Sequence, residues 1–146
     1  MKPSWDVDLL VVGAGPAGVA AAVMASSLRM TCVVVEAEGV GAKLRAIGAL
    51  ENVPGGWSTG AALTEALADD LARHQELGCV RVLSGRVVRV AGHGDRVEVG
   101  LEDGRLLTTS AAVVATGGDG ARTRRPALDR GAGNQAATAA VASDSR

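Results

Sequence analysis

Three glycines and one acid carry the types and spacing that could do chemistry here. Gly13, Gly15 and Gly18 follow Gly-x-Gly-x-x-Gly within Asp8-Leu9-Leu10-Val11-Val12-Gly13-Ala14-Gly15-Pro16-Ala17-Gly18, which leads straight into Val19-Ala20-Ala21-Ala22. Gly13 permits a sharp turn, Gly15 lets backbone approach a pyrophosphate, and Gly18 lets a helix lie close to the preceding strand. The free N–H groups and the dipole of that helix, opened by Pro16 and Ala17, would face two phosphates. Pro16 is tolerated because the first turn of a helix has spare donors. Taken alone, the pattern also fits a glycine-rich turn in another α/β protein. Glu36 closes the apolar run Thr31-Cys32-Val33-Val34-Val35. Its carboxylate could accept hydrogen bonds from both hydroxyls of a ribose and would repel a 2′-phosphate. The alternative for Glu36 is a solvated acid at a strand end.

These residues need a strand, turn, helix, second strand and acid in that order, and the chain supplies them. The pattern predicts a strand over about 7–12, a helix from about 16 to 29, and a parallel strand over about 31–36. Val19, Ala22, Val23 and Leu28 have the spacing of a buried helical face. Residues 37–58 form a long irregular stretch on the edge where open α/β sheets bind ligands. Ser58 or Thr59 can cap a second helix that runs to about Leu77, with Leu63, Leu67 and Leu71 on one face and Gly78 as its stop. Val80 to Leu83 reads as a third parallel strand. Then the period changes. Val87 to Val90, Arg96 to Leu101 and Arg105 to Thr108 read as a three-stranded antiparallel meander, with Asp103-Gly104 marking a hairpin. Ala111 to Ala115 is a last apolar strand, ending in Thr116-Gly117-Gly118. The fold class is therefore α/β, a Rossmann-like parallel sheet with a β-meander.

The 146 residues suffice for one domain, and 47% hydrophobic with 21% charged residues is an ordinary globular balance. A net charge of −1 gives no electrostatic case for nucleic acid. Trp5 and Trp57 are the only aromatic residues, so Val, Leu and Ala must build the core. Residues 9–25 carry no charge, but the run is short and contains glycines and Pro16, so no membrane span or leader is expected and a cytoplasmic location is. Cys32 and Cys79 read as buried free thiols, with no Cys-x-x-Cys for a redox dithiol or a zinc site. His74 and His93 read as surface histidines. No Ser/His/Asp arrangement or carboxylate pair stands out, so no catalytic or metal-binding residue is assigned.

Three motifs in order resemble the FAD-binding domain of the thioredoxin reductase-like pyridine nucleotide-disulfide oxidoreductases. They are Gly13-Ala14-Gly15-Pro16-Ala17-Gly18, Glu51-Asn52-Val53-Pro54-Gly55 and Val113-Val114-Ala115-Thr116-Gly117. The resemblance covers about residues 6–118. It implies FAD as the ligand, with Gly13, Gly15, Pro16, Ala17 and Gly18 at the pyrophosphate and Glu36 at the adenosine ribose. It also implies that Gly41, Ala42, Lys43 and Leu44 lie along the flavin side, that Asn52 reaches the isoalloxazine region, and that the Val87 backbone meets the adenine. Thr116 and Gly117 would lie near the pyrophosphate. Lys43 stands where the family has Gln, Ala42 replaces a Gly, and Val53 replaces an aromatic residue. Lys43 could balance pyrophosphate or reduced-flavin charge, or be a solvated loop lysine.

Family members continue with an NAD(P)H domain and, in the disulfide reductases, Cys-x-x-Cys. This sequence shows no second glycine fingerprint in a βαβ context. Residues 119–146, from Asp119 through Arg122, Arg124 and Arg125 to the Ala/Gly/Ser/Thr-rich end, read as a disordered tail. Either a natural terminus or out-of-frame translation could produce such a change at a motif boundary, and its abruptness points to the latter. The expectation is an FAD-dependent oxidoreductase domain, residues 1–118, lacking the NAD(P)H domain and the dithiol. NAD(P)H would enter only through a partner chain or a second copy. The alternative is a non-catalytic module that binds FAD or NAD.

Overall fold

Apolar side chains on both faces make Asp6–Val12 a central strand, β1. Leu10 and Val12 point to one face, Leu9 and Val11 to the other. A computed structural model describes residues 6–118 and 127–129. After β1 come α1 (Pro16–Ser27), β2 (Cys32–Glu36), α2 (Gly60–Glu76), β3 (Val80–Ser84), β4 (Val87–His93), β5 (Arg96–Leu101), β6 (Leu106–Val114) and β7 (Ala127–Asp129). Among the described residues seven strands join one sheet in the order β3-β2-β1-β6-β5-β4-β7. The β3-β2-β1-β6 part is parallel, and β6-β5-β4 is the antiparallel meander.

Two apolar clusters show the layering. Val11, Val34 and Val80 meet Val19, Ala22 and Ala25 of α1 and Leu71 of α2. On the opposite face, Leu10, Val12, Val33 and Val35 meet Val90, Val97, Val99, Leu101 and Leu107. Helices therefore cover one side of the parallel strands and the meander folds over the other. Bulk comes from Val and Leu, as the near-absence of aromatic residues requires.

The third meander strand and the last parallel strand, read separately from sequence, are one continuous strand. Residues 106–109 of β6 pair with β5, and residues 108–114 pair with β1. Thr109 and Ser110, which separate the two strands read from sequence, lie inside β6, and the Thr109 hydroxyl lies 3.0 Å from the Val7 carbonyl and 2.9 Å from that of Ala111. The first hairpin turn is also shorter than expected. β4 extends through His93, leaving Gly94-Asp95 at the turn.

Helix α1 ends two residues earlier than the spacing suggested. Leu28 is its C-cap and is 64% exposed, not part of the buried face. Small residues, Gly18, Ala22, Ala25 and Ser26, bring α1 onto the sheet instead. His74 is not a free surface histidine. Its Nδ1 lies 2.8 Å from Ser26 Oγ, joining α2 to α1. His93 is exposed, as expected. Cys32 is buried, but Cys79 is only half-buried. Within the stretch read as a disordered tail, Ala127–Asp129 forms β7, parallel to β4 with Val90 opposite Leu128. The rest of that stretch lies outside the described residues.

Candidate functional site

The carboxyl ends of β1, β2 and β6 converge, and backbone hydrogen bonds hold them there. Gly13 N–H donates to the Val35 carbonyl at 2.9 Å, and Ala115 N–H to the Val12 carbonyl at 2.8 Å. Gly13 has φ +101°, and a Cβ there would stand 2.5 Å from the Ala115 carbonyl oxygen. A Cβ on Gly18 would strike the Gly13 carbonyl. These two glycines are therefore required by the protein's own backbone.

Gly15 differs. Its φ is −79°, open to any residue, and its Cβ direction meets no protein atom within 4 Å. Among the described residues nothing needs a glycine there, so the space it leaves suits an outside group. Gly15 is also the N-cap of α1, no side chain caps that helix, and Pro16 sits at its start. The N–H groups of Ala17 and Gly18 thus stand at the positive end of the helix dipole beside open space.

Glu36 reaches over the turn from β2. Its Oε2 accepts the Ala14 N–H at 2.6 Å, and its Oε1 accepts the Glu38 N–H at 2.8 Å. The acid read as ribose-binding is thus also a backbone brace. Each carboxylate oxygen keeps capacity for a further donor.

The long stretch after β2 is tied to the same edge. Gly41 N–H donates to the Ala14 carbonyl at 2.9 Å. The Thr64 hydroxyl of α2 lies 3.2 Å from the Gly41 carbonyl and 2.8 Å from that of Gly60. Thr64 is 1% exposed and was missed by sequence reasoning, since a threonine on a leucine-bearing helix face gives no signal of its own. Gly60 is in close contact with the Leu44 carbonyl, which seats the loop on α2. Lys43 Nζ then donates to the Thr116 carbonyl at 3.2 Å.

The structure therefore brings together Gly13, Gly15, Pro16, Ala17, Gly18, Glu36, Gly41, Lys43 and Thr116. Ala42 and Leu44 lie half-buried on the same loop, and Gly117 follows in the left-handed region with φ +72°. Val87 starts β4 just after Gly85, whose N–H donates to the Glu36 carbonyl at 3.0 Å, so Val87 shares this edge. Asn52 is exposed in the 51–56 stretch, and the bonds that gather the other residues do not include it. An open cleft of about 360 Å³ is lined by Glu38, Gly39, Val40, Ala42 and Arg45, none of them in the glycine turn. On its rim Arg86 lies 3.7 Å from Glu38 and 3.9 Å from Glu102. Among the described residues no group of His, Cys, Asp and Glu could hold a metal ion, and no helix is long and apolar enough to cross a membrane.

Parallel strands, a glycine turn opening an uncapped helix and an acid at the end of β2 define a Rossmann-like fold of the dinucleotide-binding type. The sequence profile of the pyridine nucleotide-disulphide oxidoreductases matches residues 7–145, and the chain belongs to that family. The match continues past residue 118, where the tail was expected to begin. A ferredoxin–NADP reductase of Gluconacetobacter diazotrophicus is 31% identical over 131 residues, 86% of this chain and 38% of the relative. Thioredoxin reductase of Lactococcus lactis superposes with a TM-score of 0.70 at 26% identity, over 80% of this chain and 37% of that one. A ferredoxin-flavin thioredoxin reductase of Clostridium acetobutylicum has a TM-score of 0.71 at 20% identity, over 81% of this chain and 40% of that one, a likeness of fold. The chain thus spans well under half the length of these relatives.

Proposed function

We propose that this chain is the FAD-binding unit of a thioredoxin reductase-like oxidoreductase. The observation that carries the reading is Gly15: a glycine the fold does not need, at the uncapped N-terminus of α1, beside open space. The helix N-terminus there suits the charge of a pyrophosphate. Gly13, Gly15, Pro16, Ala17 and Gly18 would hold it, with Thr116 and Gly117 alongside. Glu36 would accept the adenosine ribose hydroxyls while keeping its bond to Ala14. The backbone of Val87 would meet the adenine. Ala42, Lys43 and Leu44 would lie toward the flavin, and Asn52 would reach it if the 51–56 stretch turns inward on binding.

The bound flavin would supply hydride and electron transfer, and the protein's part is to bind and orient it. Neither described cysteine forms a redox dithiol. Cys32 is buried among Val11, Val34 and α1, and burial pushes its thiol up to about 11. Disulfide reduction by this chain alone is not part of the reading, and NAD(P)H would reach the flavin through a partner chain or a second copy. A cytoplasmic setting goes with it.

One observation favours a partner. Residues 111–114 of β6 pair with β1, while β5 pairs only with residues 106–109. Among the described residues this leaves the outer edge of an Ala-Ala-Val-Val run without a strand. The second reading is a non-catalytic module that binds FAD or NAD. Titration of the purified chain with FAD, read by flavin fluorescence and absorbance, tests both readings. Saturable binding supports a flavin site, and its absence with retained NAD binding overturns FAD in favour of the second reading. Steady NAD(P)H oxidation by the chain alone would overturn the non-catalytic reading.

A further inference from the structure

The upper half of β6 is a sheet edge with the composition of a sheet interior. β5 leaves β6 after Thr109, and among the described residues 111–115 bond to β1 alone. From Leu106 to Gly118 the chain carries no charge. The opposite edge of the parallel strands, β3, carries exposed Arg81, the kind of residue that deters a new strand. Leu10, Val11, Val34 and Val35 lie on strands with a neighbour on each side and are fully buried, whereas Ala111, Val113, Val114 and Ala115 are only half-buried.

The edge also has a fixed hydrogen-bonding pattern. Ala115 N–H donates to the Val12 carbonyl. Backbone groups alternate in direction along a strand, so those of Val113 face β1 as well, and those of Ala112 and Val114 face outward. Side chains alternate too. Ala112 and Val114 lie with the meander-side cluster, Val113 and Ala115 with the helix-side cluster.

A second copy of the same edge satisfies both patterns at one register. With the strands antiparallel about a two-fold axis at Val113, Ala112 stands opposite the partner's Val114 and exchanges both backbone bonds with it. The symmetry repeats this for Val114 and the partner's Ala112. Val113 meets the partner's Val113, and Ala111 meets the partner's Ala115. The axis is perpendicular to the sheet, so the helices of both copies stay on one side. Every side chain that meets another across the joint is Ala or Val, and no charge is buried there. A slip of one residue would set outward amides against inward ones and exchange the faces.

We propose that two copies of this chain join through residues 111–115 of β6, paired antiparallel about Val113 into one continuous sheet. The proposal rests on the partner reading above and names the partner as a second copy.

The test is sedimentation velocity of the full chain from low to high micromolar concentration, where a monomer–dimer equilibrium is expected. Ala112→Pro deletes one outward N–H on each copy and leaves the bonds to β1 in place. It should raise the dissociation constant about tenfold, as suits two lost interchain hydrogen bonds, with the far-UV circular dichroism retained. Register is read by oxidative cross-linking in a Cys79→Ser background. Val113→Cys is expected to form an interchain disulfide, because a facing non-hydrogen-bonded pair has Cα atoms about 4.5 Å apart. Ala111→Cys alone should not, since its equivalent lies four residues, about 13 Å, along the strand. A wild type that stays monomeric throughout, or Ala112→Pro that folds and associates like wild type, would overturn the proposal. Equal cross-linking at 111 and 113 would overturn the register, and it decides alone if Ala112→Pro unfolds. FAD titration of the same chain keeps the two readings apart. Saturable FAD binding by a strict monomer overturns the joint and leaves the flavin site standing, and a dimer that binds neither FAD nor NAD does the reverse.

Discussion

At the scale of single residues, glycines in one motif do different work. Gly18 abuts the Gly13 carbonyl, so Gly18→Ala must push backbone apart and is expected to cost about 2–3 kcal/mol. Gly15 faces open space at an ordinary φ. Gly15→Val is expected to melt within a degree or two of wild type, by the small cost typical of surface changes. It should lose FAD affinity about tenfold or more, because the side chain would occupy the place of the phosphates. Melting curves and FAD titration of the two variants check this pair; matched effects on stability would contradict it. Cys32 gives a pH prediction. Its thiol titrates near 11 when folded, against an ordinary value of 9.0. Above pH 9 the unfolded chain loses this proton and the folded chain keeps it. Stability is therefore full below pH 9 and falls as pH rises toward 11, by on the order of 1–2 kcal/mol. Denaturant midpoints at pH 8 and 10.5, for wild type and Cys32→Ala, isolate that slope. In the native chain at pH 8 a thiol reagent is expected to label Cys79 before Cys32.

At the scale of elements, the site depends on how α2 begins. Thr59 caps the helix by accepting the Ala62 N–H at 3.1 Å. One turn on, Thr64 holds the Gly41 carbonyl, and Gly60 N–H donates to the Ile47 carbonyl at 2.9 Å. The first turn of α2 thus fixes both ends of the segment that bears Lys43. Thr59→Ala is expected to cost about 1 kcal/mol by circular dichroism melting. It should also raise hydrogen exchange at Gly41 and Ile47 before it changes the sheet. The His74–Ser26 contact lies at the far end of the same helix, so α2 is joined to the site at one end and to α1 at the other.

For the whole molecule, the open question is the β6 edge. Sheet edges are usually blunted by charge, proline or a bulge. Residues 111–115 are Ala-Ala-Val-Val-Ala, a composition suited to a strand paired on both sides. Concentration-dependent association is expected in sedimentation velocity. Ser110 is exposed on β6 just before this run. Ser110→Lys should shift the population toward monomer while leaving the melting temperature within a few degrees. Association unaffected by that charge would place the contact on another surface.

The sequence alone determined what local chemistry determines. Apolar runs, glycine spacing, the Thr59 cap and the position of Glu36 each need only neighbours within a turn or a strand, so the order of elements and the glycine turn were legible. The sequence also marked β6 on both sides of Thr109-Ser110, but as two strands. Only the tertiary structure decided that they are one, because a strand that changes partners from β5 to β1 carries no break in its own residues. The same holds for the bond of Glu36 to Ala14, the partner of His74 and the reach of Lys43 to Thr116. Those contacts join residues 22, 48 and 73 positions apart, and neither periodicity nor spacing encodes such closures. The glycine turn is written in the sequence, but which of its glycines serve the fold, and which one faces open space, depends on the backbone that folds around them.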